Sequence, residues 1–119
     1  MDGSEDFSPA VSPATKGNGF GMLRPIDLGG VRIDCPVLLA PMSGVTDLPF
    51  RRLSRELGTP MVVSEMIASQ AMVRENRQTL KMAEVDGFGG PASVQLAGCD
   101  PQVMAEAARL AADRGAAIV

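Results

Sequence analysis

Apolar and polar positions fall into short blocks from residue 26 onward, and each block predicts one element. Residues 26–28 (IDL) and 31–33 (VRI) alternate around Gly29-Gly30, which is typical of a β-hairpin. Residues 37–40 (VLLA) are continuously apolar, as in a strand that is buried on both faces. Further strands are predicted over residues 61–65, 92–96 and 116–119.

Helices are predicted between these strands from capping residues and apolar spacing. The first follows a cap at Thr46 or Asp47, carries Pro49 in its first turn and stops at Gly58. Its buried stripe is predicted to consist of Phe50, Leu53 and Leu57.

The later helical segments differ in regularity. Residues 68–83 are predicted to be mostly helical with some irregularity, and residues 86–91 form a glycine-rich turn. The clearest helix is capped by Asp100, starts at Pro101 and ends at Gly115. Its core-facing positions are Val103, Ala107, Leu110 and Ala111.

The order of elements indicates the fold class. Alternating strands and helices predict a parallel sheet with right-handed crossovers, as in doubly wound sheets and (β/α)₈ barrels. No G-x-G-x-x-G follows the first strand and no G-K-[ST] loop is present, which argues against a Rossmann unit and a P-loop.

Composition limits the possible binding partners and the cellular compartment. The net charge of −3 differs from the basic excess that is usual in a self-standing RNA-binding domain, so residues that bind nucleic acid would lie mostly elsewhere. Cys35 and Cys99 are far apart and the chain has no His, which argues against zinc or another metal and against disulfides. We expect a reduced, cytoplasmic setting and no membrane span, with residues 1–21 as a disordered leader.

Three segments resemble the tRNA-dihydrouridine synthase family, most closely its bacterial B-type. They are residues 39–51 (LAPMSGVTDLPFR), 63–66 (VSEM) and 93–101 (SVQLAGCDP), in the order and spacing of the family. The resemblance covers about residues 24–119. It implies that residues 22–119 are the N-terminal part of a TIM barrel, truncated after a hairpin, about three βα units and the start of a fourth strand.

The resemblance also implies an activity. Members of this family reduce uridine in tRNA to 5,6-dihydrouridine, with FMN as cofactor and NADPH as reductant. Their catalytic acid is a cysteine in an N-x-G-C-P segment after the fourth strand, where this sequence stops at Val119. We therefore expect no catalytic residue in this chain and no activity of the chain alone, and we expect Cys99 and Cys35 to be packing residues.

By resemblance, the FMN contacts are Pro41, Met42, Ser43 and Gln95. These residues come at the ends of predicted strands, where function gathers in a barrel. The main chain of the Pro-Met-Ser corner would reach the rim of the flavin ring, and Met42 would pack on its face. The Gln95 amide can donate and accept, and it points into the barrel mouth if its neighbours pack on the helices.

Each site residue has an alternative interpretation. Pro41 could end a strand, Met42 could fill the core, and Gln95 could face solvent on an antiparallel edge. Glu65, placed as a uridine contact or as a residue that orients the flavin, could instead pair with an arginine. A cluster of three arginines, Arg51, Arg52 and Arg55, could touch RNA phosphate but is more typical of a solvated face.

Two other functions remain open from the sequence. One is a different FMN-dependent barrel oxidoreductase of the dihydroorotate or ene-reductase type. The other is a small non-catalytic interaction protein, which would need a closed fold of its own.

Overall fold

The computed structural model describes residues 23–86 and 89–119, so the leader expected at residues 1–21 lies outside the described part. Ten short elements follow one another within these described residues. They are β1 (Ile26–Leu28), β2 (Val31–Ile33), α1 (Leu48–Glu56), β3 (Val62–Val63), β4 (Ile67–Ala68), α2 (Ser69–Val73), α3 (Arg77–Met82), β5 (Ala92–Ser93), β6 (Leu96–Ala97) and α4 (Pro101–Asp113).

The predicted hairpin is confirmed. Strands β1 and β2 pair antiparallel, with Ile26 opposite Ile33 and Leu28 opposite Val31. Gly29 and Gly30 both have positive φ, 61° and 90°, a conformation that costs glycine little. The turn is closed further by the Gly30 N–H, which donates to Asp27 Oδ1 at 2.7 Å.

The remaining strands pair in parallel, as predicted. β3 lies beside β5, and β4 lies beside β6. The predicted fourth strand at residues 116–119 contributes one parallel bridge, between Ser93 and Ile118. The pairs form separate two-stranded sheets, and the described residues form no closed barrel.

The strand predicted at residues 37–40 is wrong. These residues form no strand, and Val37, Leu38 and Leu39 are 46%, 41% and 41% exposed. A continuous apolar run becomes a buried strand only when elements cover both of its faces. Among the described residues, no strand pairs with this segment.

Helix α1 begins as predicted and buries an unexpected face. The Asp47 carboxylate accepts from the Phe50 N–H at 3.0 Å, so Asp47 is the cap. The predicted stripe is wrong, because Leu53 and Leu57 are 52% and 81% exposed. The buried residues of the helix are instead Arg51, Ser54 and Arg55.

The irregular helical region is confirmed as two short helices, α2 and α3. Glu75 breaks the segment with a φ of 51°, and Asn76 starts α3 by accepting from the Gln78 and Thr79 N–H groups at 3.0 and 3.4 Å.

Helix α4 matches its prediction and closes the core. Asp100 accepts from the Gln102 and Val103 N–H groups at 2.9 and 3.2 Å. Gly115 has a φ of 98° just after the helix. The core joins α2 and α4 to β4 and to the segment between β5 and β6, and its buried residues are Ile67, Met72, Ala83, Val94, Ala107 and Ala111.

The longest of the described helices, α4, has 13 residues. None of the described helices combines the length and apolar character needed to cross a bilayer.

Candidate functional site

The loop that follows residues 37–40 is held closed by Thr46. The Thr46 hydroxyl accepts from the Met42 N–H and donates to the Met42 carbonyl, both at 2.9 Å. The Met42 carbonyl also accepts from the Val45 and Thr46 N–H groups at 3.1 and 3.0 Å. Because Thr46 is only 3% exposed, it anchors residues 42–46 as a rigid corner on the body of the fold.

Glu65 joins this corner to the end of β3. Its Oε2 atom accepts a hydrogen bond from the Gly44 N–H. Gly44 has a φ of 73°, a left-handed conformation that favours glycine. The Glu65 carboxylate, just after β3, therefore contacts the corner at residues 42–46.

Ser64 joins β3 to Gln95, which lies between β5 and β6. The Ser64 hydroxyl accepts from the Gln95 N–H at 3.0 Å and donates to the Glu65 carbonyl at 2.9 Å. The Gln95 carbonyl accepts from the Ile67 N–H at 2.9 Å. Hydrogen bonds thus run from Gln95 through Ser64 and Glu65 to Gly44.

Glu65 and Gln95 follow the parallel strands β3 and β5, and these hydrogen bonds connect them to the loop that carries Pro41, Met42 and Ser43. Met42 is 39% exposed, Ser43 and Gln95 are exposed, and Pro41 and Glu65 are half-buried. Val94 is fully buried in the core, and Gln95, the next residue between β5 and β6, is exposed.

Hydrogen bonds within the loop occupy the main chain of Met42. Both polar main-chain groups of Met42 are bonded within the loop, so they are not offered to a flavin ring. Contact by Met42 would therefore fall to its side chain.

The structure does not favour the alternative interpretations of these residues. Met42 does not fill the core, and Gln95 is exposed, but β5 and β6 on either side of it pair in parallel rather than antiparallel. Glu65 forms no ion pair with an arginine among the described residues and bonds to a main-chain N–H. No strand ends at Pro41.

The arginines of α1 do not form the expected solvated face. Arg51 is 3% exposed and donates to the Glu84 and Met82 carbonyls at 2.9 and 3.2 Å. Arg55 donates to the Gly90 and Pro91 carbonyls at 2.9 and 2.6 Å. Only Arg52 is exposed, and it pairs with Asp86 at 2.5 Å. Two of the three therefore hold the chain that leads into β5.

Burial and pairing act in opposite directions on these guanidiniums. Burial lowers the pKa of Arg51 and of Arg55 from the usual value, while the charge of Asp86 opposes the change. The hydrogen bond to Asp86 raises the pKa of Arg52. Arginine stays protonated in proteins, so all three remain cations.

The cysteines differ from each other. Cys35 is half-buried, and Cys99 is exposed, so the prediction that Cys99 is a packing residue is wrong. Cys99 lies in the loop before α4, beside a hollow of about 290 Å³ that Ser69 and Asp100 also line. Within residues 23–86 and 89–119, no three acidic or cysteine side chains are grouped to hold a metal ion.

Sequence reasoning missed Ser64, Thr46 and Gly44 as parts of the site. All three lie inside the segments that carry the family resemblance. Their role depends on hydrogen bonds between segments, which a pattern along one segment does not indicate.

Fold and site together define an α/β protein with parallel strands whose carboxyl ends carry a polar corner. The family model described as Dihydrouridine synthase (Dus) matches residues 38–119. The chain therefore belongs to the dihydrouridine synthase family.

Similar proteins carry names of the same family. The chain is 50% identical over 95 residues to a "Probable tRNA-dihydrouridine synthase" of Rickettsia bellii and to one of Rhodobacter capsulatus. It is 44% identical over 94 residues to "tRNA-dihydrouridine synthase B" of Pseudomonas aeruginosa. Each alignment covers 79% of this chain, but only 29%, 29% and 28% of the relatives' own lengths. No solved structure matches the chain.

Proposed function

We propose that this chain forms the first part of the (β/α)₈ barrel of a cytoplasmic tRNA-dihydrouridine synthase. The reaction would be the reduction of uridine in tRNA to 5,6-dihydrouridine, with NADPH as the reductant. The observation that carries the proposal is the hydrogen-bonded path from Gln95 through Ser64 and Glu65 to Gly44. It draws together the segments that the resemblance assigns to the flavin.

The residues present fit FMN by their chemistry. Met42 and Gln95 are both exposed beside this path, one apolar and one an amide that donates and accepts. We propose that the Met42 side chain packs on the flat ring and that Gln95 bonds to its polar edge. Pro41 and Ser43 would flank the ring. When bound, FMN would supply the hydride for the reduction of uracil.

Glu65 is proposed to contact the uridine. One of its carboxylate oxygens is occupied by the Gly44 N–H, and the other, Oε1, accepts no hydrogen bond from the described residues. The uracil ring offers an N–H donor that a carboxylate oxygen accepts well. Such a bond would orient the base, which must leave its stack to be reduced.

The proton donor is proposed to be the cysteine of the family's N-x-G-C-P segment, which the 119 residues do not contain. Residues of this chain would then bind and orient the cofactor and base, without themselves transferring a proton.

A chimaeric enzyme tests the proposal. The 95 residues of the Rhodobacter capsulatus relative that match this chain are replaced by the corresponding residues of this chain. The chimaera is expected to restore dihydrouridine in the tRNA of a strain that lacks its own synthases, as measured by mass spectrometry of digested tRNA.

The matched control is the same chimaera with Gln95→Ala, which is expected to lose most FMN and most activity. A folded chimaera that binds FMN and oxidises dihydroorotate or reduces activated alkenes, but leaves tRNA unmodified, would contradict the proposal in favour of another flavin barrel.

A further inference from the structure

The register of the parallel pair β3–β5 differs by one residue from that of the pair β4–β6, and the change begins at Ser64. Val63 lies opposite Ser93, and Ile67 lies opposite Leu96. Three residues between β3 and β4, 64–66, therefore lie opposite only two residues between β5 and β6, 94–95. This is the arrangement of a β-bulge, which bends a strand and redirects its side chains.

Ser64 bridges the interruption in the ladder. Its N–H donates to the Ser93 carbonyl at 2.9 Å, which continues the pairing of β3 with β5. Its hydroxyl then accepts from the Gln95 N–H at 3.0 Å, where a regular ladder would offer a main-chain carbonyl. Main-chain pairing resumes with the Ile67 N–H and the Gln95 carbonyl at 2.9 Å.

The same hydroxyl donates to the Glu65 carbonyl at 2.9 Å. One buried oxygen, on a residue that is 0% exposed, thus fixes both the residue that reaches Gly44 and the residue that presents the exposed amide. A serine hydroxyl has one proton to donate and two lone pairs, so both bonds can form together. Alanine at this position would leave the Gln95 N–H without this acceptor.

We propose that Ser64 is a positioning residue of the flavin site: its hydroxyl holds a one-residue bulge that sets Glu65 and Gln95 relative to the corner at residues 42–46. This inference rests on the proposed function. It goes beyond it by assigning the shape of the site to a side chain that touches neither cofactor nor uridine.

The test compares variants of the chimaera described above. Ser64→Ala is expected to weaken FMN binding about tenfold, which corresponds to about 1.4 kcal/mol, the scale of one lost hydrogen bond. The visible absorption bands of bound FMN are expected to shift, because Gln95 no longer meets the ring in the same place. The thiol of Ser64→Cys is similar in size to the hydroxyl and is a weak donor and acceptor. The FMN affinity of this variant is expected to lie between those of Ser64→Ala and the unsubstituted chimaera.

Ser69→Ala is the matched control. Ser69 is also buried, at 2% exposed, but its hydroxyl takes no part in the bonds that join Ser64 to Glu65 and Gln95. This variant is expected to leave the FMN dissociation constant and spectrum unchanged, even if its melting temperature falls as much as that of Ser64→Ala.

The outcomes separate the two proposals. An unsubstituted chimaera that is folded and binds no FMN overturns the proposed function and this inference together. If Ser64→Ala leaves both the FMN affinity and the spectrum of the chimaera unchanged, the inference alone is overturned. Should Ser64→Ala fail to fold, the Ser64→Cys variant decides: an affinity and spectrum like those of the unsubstituted chimaera overturn the positioning role.

Discussion

Arg51 and Arg55 are charged side chains on the buried face of α1, where leucines were predicted. Each guanidinium donates to two main-chain carbonyls between Met82 and Pro91. Met82 is the last residue of α3, and Glu84, Gly90 and Pro91 lie outside the described helices and strands, so the arginines provide donors to carbonyls that regular structure does not satisfy. The arginine face of α1 is buried because it satisfies these carbonyls.

Removing one of these guanidiniums is expected to destabilise the chain. Arg51→Met keeps the apolar stem and leaves the Met82 and Glu84 carbonyls without their donor. The loss of free energy of unfolding is expected to be about 2–3 kcal/mol, the scale of hydrogen bonds to charged groups. Urea unfolding followed by circular dichroism measures it. Arg52→Met is the control, and an equal effect at this exposed position would contradict the assignment.

Gly98 is expected to tolerate no side chain. A Cβ at this position would lie 2.2 Å from Ser69 Oγ and 2.8 Å from Met104 Sδ. Gly98→Ala should cost about 1–3 kcal/mol of the free energy of unfolding, as other overpacked sites do. Thermal melting measures the loss, and Ser69→Ala in the same chain should recover part of it. If the double variant melts no higher than Gly98→Ala, the named contact is not the cause.

Among the elements, α4 shows capping chemistry that the sequence predicts directly. Asp100 caps its first turn with two hydrogen bonds, and Pro101 follows as the first helical residue. The helix packs its small residues, Ala107 and Ala111, against the core, which lets it approach α2 closely.

Loss of this cap is expected to weaken the helix. Asp100→Ala should lower the free energy of unfolding by about 1 kcal/mol, because two N–H groups lose their acceptor. The control is Asp113→Ala at the last residue of α4, whose carboxylate caps nothing and lies at the unfavourable end of the helix dipole. Urea unfolding of both variants should show a loss only for Asp100→Ala.

On the scale of the whole molecule, apolar side chains remain exposed beside the candidate site. Val37, Leu38 and Leu39 form a continuous exposed run, and Met42 and Val45 extend it. Exposed apolar patches of this kind promote association.

The isolated chain is expected to self-associate through this run. Leu38→Glu with Leu39→Glu should shift the chain toward monomer at concentrations where the unsubstituted chain associates, as measured by light scattering. Leu57→Glu is the control, because Leu57 is 81% exposed at the end of α1, away from this run. Equal effects of the two changes would argue against a specific role for residues 37–39.

The isolated chain is also expected to bind FMN weakly. It carries the proposed contacts Met42 and Gln95, but phosphate groups in such barrels are usually held by loops after the seventh and eighth strands. A titration of FMN with the chain, followed by flavin fluorescence, is expected to show no saturable binding at micromolar concentrations of the chain. Tight, stoichiometric quenching would contradict the proposed division of the site.

The sequence alone determined those features that depend on neighbouring residues. The Gly-Gly hairpin, a cap at Thr46 or Asp47, the cap at Asp100, the irregularity within residues 68–83 and the parallel order of strands were all predicted, because turn and cap chemistry acts within a few residues.

Tertiary structure decided which faces are buried and how the segments meet. Residues 37–40 have the pattern of a buried strand but no described strand pairs with them, and α1 buries arginines because loop carbonyls lie opposite. The bulge at Ser64 depends on the register between two strands, and the contact of Glu65 with Gly44 joins residues far apart in sequence. Burial and register are properties of pairs of segments, so neither segment by itself could indicate them.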